Sequence, residues 1–164
     1  MDIIEGGFYI VDEQFYVDFP DPNLKKNDEE NRPHYYCFKE DNNIIWMIPL
    51  SFRVEKCKKE IERRQKEGKP CDYYHILEIA GRESAFIIGD IFPVTNEYIK
   101  RAYTISGIPA KLLDKHQISQ INTKAKKILV LIRRNIKLHK FQPDVLKIEQ
   151  ILLSQSEAAS IKNE

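Results

Sequence analysis

The chain has 164 residues, 26 Lys/Arg against 25 Asp/Glu, and a formal net charge of +1. Hydrophobic residues make up 42%, which excludes wholesale disorder and suggests one core and one domain over residues 1–164. No apolar run approaches the roughly 20 residues that span a bilayer, and the acidic start MDIIEGGFYIVDEQFY lacks the basic n-region of a secretory signal, so the expectation is a cytoplasmic protein with no membrane partner.

In chain order, residues 8–11 and 15–17 are rich in aromatic and β-branched side chains and read as strands. Pro20 and Pro22 break regular structure, and residues 23–32, NLKKNDEENR, form a polar loop. Residues 34–38 and 44–48 flank Asp41-Asn42-Asn43 and read as a hairpin. Residues 54–68 read as a helix with Val54, Cys57 and Ile61 on one narrow face and charge elsewhere, stopped by Gly68 and Pro70. Residues 72–80 and 84–94 read as two strands turned at Gly81-Arg82-Glu83. After Pro93 the pattern becomes helical: a short helix at 96–102, one opened by Pro109, a long one at 119–140 with Ile121, Ala125, Ile128, Leu129, Ile132 and Ile136 on one face, and a last one from Asp144 to about 156. The architecture is α+β, with about six short antiparallel strands that close readily into a small barrel or half-barrel.

Charge is unevenly spread. Between Lys100 and Lys147 there are twelve Lys/Arg and two acids, a net +10 that leaves −9 for the rest. This suggests a polyanion partner, or basic helices complementing acidic strands within one fold. No histidine pair, glycine-rich phosphate loop or Gly-x-Ser-x-Gly elbow is present, and Cys37, Cys57 and Cys71 match no zinc spacing; no metal or other cofactor is expected.

Two constellations bear on chemistry. In IPLSFRVEK, residues 48–56, an apolar run gives way to Ser51, Arg53 and Lys56 at a strand-to-helix junction. Ser51 is a natural helix cap, and the same free backbone donors and dipole end suit a phosphate. In the second, Lys25, Lys26 and Asn27 precede Arg32, His34 and Tyr35. Cations interleaved with aromatics suit an RNA backbone and stacked bases, or merely a solvated loop entering an aromatic strand. His34 is either a general acid–base group or structural. An enzyme, a non-catalytic RNA-binding module and a protein-docking domain using the 54–68 helix all remain open on these residues.

FYIVDEQFYVDF, LKKN, RPHYYCF, IPLSFRVEK and GDIFPVT resemble the toxins of type III toxin–antitoxin systems, the ToxN/AbiQ endoribonucleases, and most of all the CptN/TenpN branch. The resemblance is densest over residues 8–56. It implies a compact twisted antiparallel barrel like that of the Kid/MazF toxins, with peripheral and C-terminal helices. It implies metal-independent cleavage of single-stranded RNA, often at adenine-rich sites, leaving 2′,3′-cyclic phosphate and 5′-hydroxyl ends. The implied partner is a small pseudoknot RNA antitoxin, processed by the toxin and closed with it into a cyclic hetero-oligomer, with growth arrest and phage defence as the role. Pro49-Leu50-Ser51 matches the family's Pro-Leu-Thr/Ser, and Lys56 or Arg53 takes its lysine's role. Phe52 stands where many relatives carry a second hydroxyl, and Phe15 where some carry a tyrosine. On this reading Ser51 holds a phosphate oxygen, Arg53 and Lys56 supply charge, Lys56 leads for proton transfer, and His34 or Tyr35 orients the ribose or moves a proton. Lys124, Lys126, Lys127, Arg133, Arg134, Lys137 and Lys140 would then grip RNA phosphates, with Lys25, Lys26, Asn27 and Arg32 nearer the site.

Overall fold

A computed structural model describes residues 1–163. Its sheet contains β1 (Phe8–Val11), β2 (His34–Lys39), β3 (Ile45–Ser51), β4 (Tyr74–Ile79), β5 (Arg82–Ile87), β6 (Phe92–Val94) and β7 (Ile99–Ala102). The path is β4-β5-β3-β2-β1-β7, antiparallel throughout, with β6 pairing to the first half of β3. A separate hairpin pairs β8 (Thr104–Ile105) with β9 (Ile108–Pro109). The helices are α1 (Glu13–Asp18), α2 (Val54–Lys66), α3 (Lys115–Arg133) and α4 (Val145–Lys162).

β3 organises this sheet. Its apolar run, Ile45 to Leu50, is buried on both faces, as expected of a strand covered on two sides. β2 lies along one edge. The other edge is shared, β6 pairing with Ile45–Met47 and β5 with Leu50 and Ser51. Pro49 sits between those two stretches. The Leu50 amide points to β2, where it donates to the Pro33 carbonyl at 3.1 Å, so successive alternation turns Pro49's missing N–H into the gap between β6 and β5, where no ladder bond is lost.

Period-two alternation then assigns the faces. Trp46, Ile48 and Leu50 share one with their cross-strand partners Tyr35 and Phe86. α3 covers this face: its Gln117 and Lys124 bond His75, which is paired with Phe86, and its Arg133 guanidinium lies 5.5 Å from the Trp46 ring. Pro49 and Ser51 share the other with His34 and Ala85. There α2 packs Val54 and Cys57 against Ala85, while the Tyr16 hydroxyl of α1 reaches His34.

Several sequence expectations change. The sheet does not close into a barrel: β4 and β7 stand at its two ends, and seven strands rather than six compose it. Residues 15–17 are helical because Asp12 accepts a bond from the Gln14 amide at 2.8 Å and caps α1, and Phe15 and Phe19, one turn apart, turn inward together. The 84–94 run is interrupted by a 3-10 turn at Ile88–Asp90. Residues 96–102 are a 3-10 turn followed by β7, and Pro109 lies in β9 instead of opening a helix. The β4–β5 turn is Ala80-Gly81, both at positive φ, +50° and +82°, the two-residue geometry that matches strand twist. α3 starts four residues before the expected 119, capped by Asp114, and stops at Arg133; Asn135 at φ +59° turns the chain away and leaves Ile136 exposed. Asp144 does cap α4, through the Lys147 amide, and that helix runs past 156 to Lys162.

Phe15 is fully buried against Tyr16, Phe19, Phe92 and Tyr98. Phe15→Ala should therefore cost about 3–5 kcal/mol of unfolding free energy by denaturant titration; a loss under 1 kcal/mol would contradict the helical placement.

Candidate active site

The junction after β3 places Ser51 half-exposed at the strand's last position, with Arg53 and Lys56 exposed beyond it. Ser51 does not cap the helix. Its hydroxyl accepts from the Arg53 amide at 3.2 Å, closing a turn just ahead of α2. Arg53 is the N-cap residue and makes no side-chain cap bond, so the first-turn amides of α2 keep their donors directed outward. Neither Arg53 nor Lys56 forms an ion pair among the described residues, nor does Lys59, whereas the other cations of α2 do: Lys58 with Glu83 and Glu55, Arg63 with Glu60 and Glu67, Arg64 with Glu60, Lys66 with Glu62.

The segment 25–34 lies on the same face. Tyr16 donates its hydroxyl to the Lys25 carbonyl at 3.3 Å, and His34 Nε2 lies 3.4 Å from that oxygen. Lys25 Nζ is 3.5 Å from the buried Asp90 carboxylate, whose other oxygen is 3.0 Å from His139 Nε2. Arg32 donates to the Lys26 carbonyl at 3.0 Å, and Glu30 is held by Lys100 and Arg101. Lys26 is exposed, Arg32 half-exposed, and neither is ion-paired among the described residues.

Five expected site residues are spent inside the fold. Asn27 is wholly buried, its amide donating to the Val11 carbonyl at 2.9 Å, and it anchors a loop in which Asp28, Glu29 and Glu30 all take positive φ. Tyr35 is wholly buried on the α3 face between Phe8 and Phe86, so it cannot touch RNA or a ribose. His34 is also wholly buried, and burial pushes its pKa down to about 3; it is a neutral support for the Lys25 carbonyl, not a proton-transfer group facing substrate. Lys124 bonds the Tyr74 carbonyl at 3.2 Å and His75 Nδ1 at 3.0 Å. Arg133 pairs with Glu40 and Glu149. Lys126, Lys127, Arg134, Lys137 and Lys140 remain exposed. α3, which carries the first two, covers the sheet face opposite Ser51, so its lysines do not join Arg53 and Lys56 on the Ser51 side.

No group of three or more His, Cys, Asp or Glu side chains converges among the described residues, and no helix there is long and apolar enough to cross a membrane. Tyr16 and Asp90 were invisible as site supports in the sequence: the first looked like a strand residue, and the second sits in a 3-10 turn hidden within an apolar run.

No protein-family model and no curated protein sequence matches this chain. Solved structures do. AbiQ, a lactococcal anti-phage endoribonuclease of a type III toxin–antitoxin system, superposes with a TM-score of 0.63 at 15% identity, over 94% of this chain and 97% of AbiQ. A bacterial type III toxin–antitoxin structure, described through selective toxin inhibition by a non-coding RNA pseudoknot, gives 0.63 at 14% identity, over 94% of this chain and 99% of the other. The chain has the type III toxin fold. The match runs nearly end to end on both sides.

The buried His34 gives a pH dependence with a definite sign. Its folded pKa lies below its unfolded value of 6.5, so its contribution to stability is complete above pH 6.5 and is lost as pH falls toward about 3, by up to about 1.4 kcal/mol per pH unit. Thermal melts between pH 7 and 5, above the main carboxylate range, should show the midpoint falling with pH. His34→Leu should reduce that slope, leaving the share of His75, whose pKa burial also lowers; an unchanged slope would remove His34 as a cause.

Proposed function

We propose that the protein is a metal-independent endoribonuclease toxin of a type III toxin–antitoxin system, acting on single-stranded RNA in the cytoplasm and held in check by a small pseudoknot RNA that it also processes. The observation that carries this reading is the junction itself: Ser51 beside two cations, Arg53 and Lys56, without carboxylate partners among the described residues, ahead of an open helix N-terminus. Support comes from the fold shared with AbiQ, described as an anti-phage endoribonuclease, and with a toxin inhibited by an RNA pseudoknot. Growth arrest, phage defence and a cyclic toxin–RNA assembly follow from the same reading.

The chemistry is an internal transesterification. The 2′-hydroxyl oxygen of one ribose bonds to the adjacent phosphorus as the bond to the 5′-oxygen breaks, leaving a 2′,3′-cyclic phosphate and a 5′-hydroxyl. One proton leaves the nucleophile and one reaches the leaving oxygen, so none is consumed. The nucleophile belongs to the substrate, and the protein's tasks are alignment and charge. Ser51 hydrogen-bonds a non-bridging oxygen, Arg53 and the first-turn amides of α2 neutralise the crowded phosphorane, and Lys56 takes part in proton transfer. Lys25, Lys26 and Arg32 guide the strand in. Lys126 and Lys127 of α3, with Arg134, Lys137 and Lys140 of the segment that follows it, hold more distant phosphates of the antitoxin RNA.

Ser51→Ala and Lys56→Ala should each lower cleavage by on the order of 10²–10³-fold while leaving the melting midpoint within a few degrees. End analysis of RNA incubated with the protein and EDTA should show cyclic-phosphate termini. RNA bound but uncut by wild type would favour the non-catalytic binding module instead. Binding to a single-stranded RNA should weaken with salt, and Arg53→Ala should reduce the log–log slope by about 0.7, the loss of one phosphate contact; an unchanged slope would detach Arg53 from the RNA.

A further inference from the structure

On the other face of the sheet at this same strand end lies a cleft of about 190 Å³. Leu50 and Phe52, the neighbours of Ser51 in the chain, line it together with Phe8, Ile79, Tyr103 and Arg82. The Arg82 guanidinium lies 3.5 Å from the centre of the Phe52 ring. Among the described residues no acidic side chain lines the cleft, and its lining includes Ser84, wholly buried, whose hydroxyl donates to the Arg82 carbonyl at 3.2 Å.

We propose that this cleft is a base slot that receives one nucleobase of the RNA strand whose phosphate rests at Ser51, Arg53 and Lys56. The proposal rests on the endoribonuclease reading above and adds to it a determinant of where the RNA is cut. Size selects the occupant: a cavity of about 150 Å³ takes a single benzene-sized ring, so this one holds one base and not a peptide side of several residues. Chemistry selects it too. A guanidinium already stacked on a phenyl ring presents flat surfaces on which any base face can lie, and the cationic rim suits a polyanion. Position completes the case. Phe52 follows Ser51 by one residue, about 3.3 Å along the strand, and successive side chains point to opposite faces. A strand of RNA bent over this end therefore sets a phosphate on one side and an adjoining base on the other. Phe52 stands where the resemblance led one to expect a second hydroxyl, so this slot is a feature of this chain's own residues.

The test uses a short single-stranded RNA made uncleavable by a 2′-deoxy nucleotide at the cut site, with an abasic residue placed in turn on each side of the scissile phosphate. Wild type should lose about 5–150-fold in affinity with the abasic residue at one of the two positions, the range expected for one stacked base. Phe52→Ala and Arg82→Ala should bind the intact RNA more weakly by a similar factor and show no further loss with the abasic one, while Phe52→Trp should restore the penalty. If both alanine variants keep the full abasic penalty, the slot is overturned while the nuclease reading stands. If wild type binds and cuts no RNA, both fall.

Discussion

The burial of β3 is the constraint on which the rest of this molecule depends. A strand that must hide Ile45 through Leu50 on both faces has no freedom of register, because a one-residue slip would bring Ser51 into the core and Leu50 to the place of Ser51. Two different strands share its far edge, and the proline at their junction falls where no donor is needed. The strand therefore ends at a fixed point, with Ser51 facing α2 and Leu50 facing α3. Everything assigned to the site, from the open turn at Arg53 to the apolar cleft behind Phe52, is referred to that end point.

The supports around it are built from residues whose polarity is spent internally. His34 and Tyr16 converge on the Lys25 carbonyl, and Asp90 ties Lys25 to His139 in the loop after α3. Asn27 holds three successive left-handed residues in place, a conformation that costs each L-residue roughly 1–2 kcal/mol and persists only when the surroundings enforce it. The loop that carries Lys25, Lys26 and Arg32 is thus fastened from below at three places, the Lys25 carbonyl, the Lys25 ammonium and the Asn27 amide, and its cations are presented from a fixed backbone. A mobile loop with the same charges would pay ordering entropy at each encounter with RNA.

How much of this was legible in the sequence depends on whether the signal was local. The central hairpin, α2 with its narrow apolar face, the cap at Asp144 and the strand-to-helix junction after Ser51 all carry local signatures and stand where they were read, although Ser51 closes a turn with the Arg53 amide instead of capping the helix. The failures have a common cause. Residues 15–17 have strand-like composition, but Asp12 supplies a cap and the spacing of Phe15 and Phe19 is helical, so a period was overruled by a propensity. His34, Tyr35 and Asn27 look like ligand-facing residues beside their lysines, and only the pairing of β2 with β1 and β3 reveals that they point inward. The basic stretch from Lys100 to Lys147 has a real charge excess, yet Lys124 and Arg133 answer to acceptors far away in the chain, at His75, Glu40 and Glu149. Composition counts charges; it does not say which are already engaged by other parts of the chain.

That distinction bears most on α2. Its later turns carry opposite charges three and four residues apart, an arrangement worth a few tenths of a kcal/mol per pair. Its first turn breaks the rule. The N-terminus of a helix is the positive end of its dipole, where a cation costs on the order of 0.3–1 kcal/mol, yet Arg53 and Lys56 stand there, and the one acid of that turn, Glu55, lies 3.8 Å from Lys58. A sequence chosen for stability alone would put aspartate or glutamate at those positions and a capping side chain at Arg53. Local choices that oppose the fold are concentrated where function requires them. Here the opposing charge is of one sign, it is placed beside free amides, and it faces outward at the end of a strand buried on both faces, an arrangement that an anion from solution would relieve; in the function proposed above that anion is a phosphodiester on a flexible single strand.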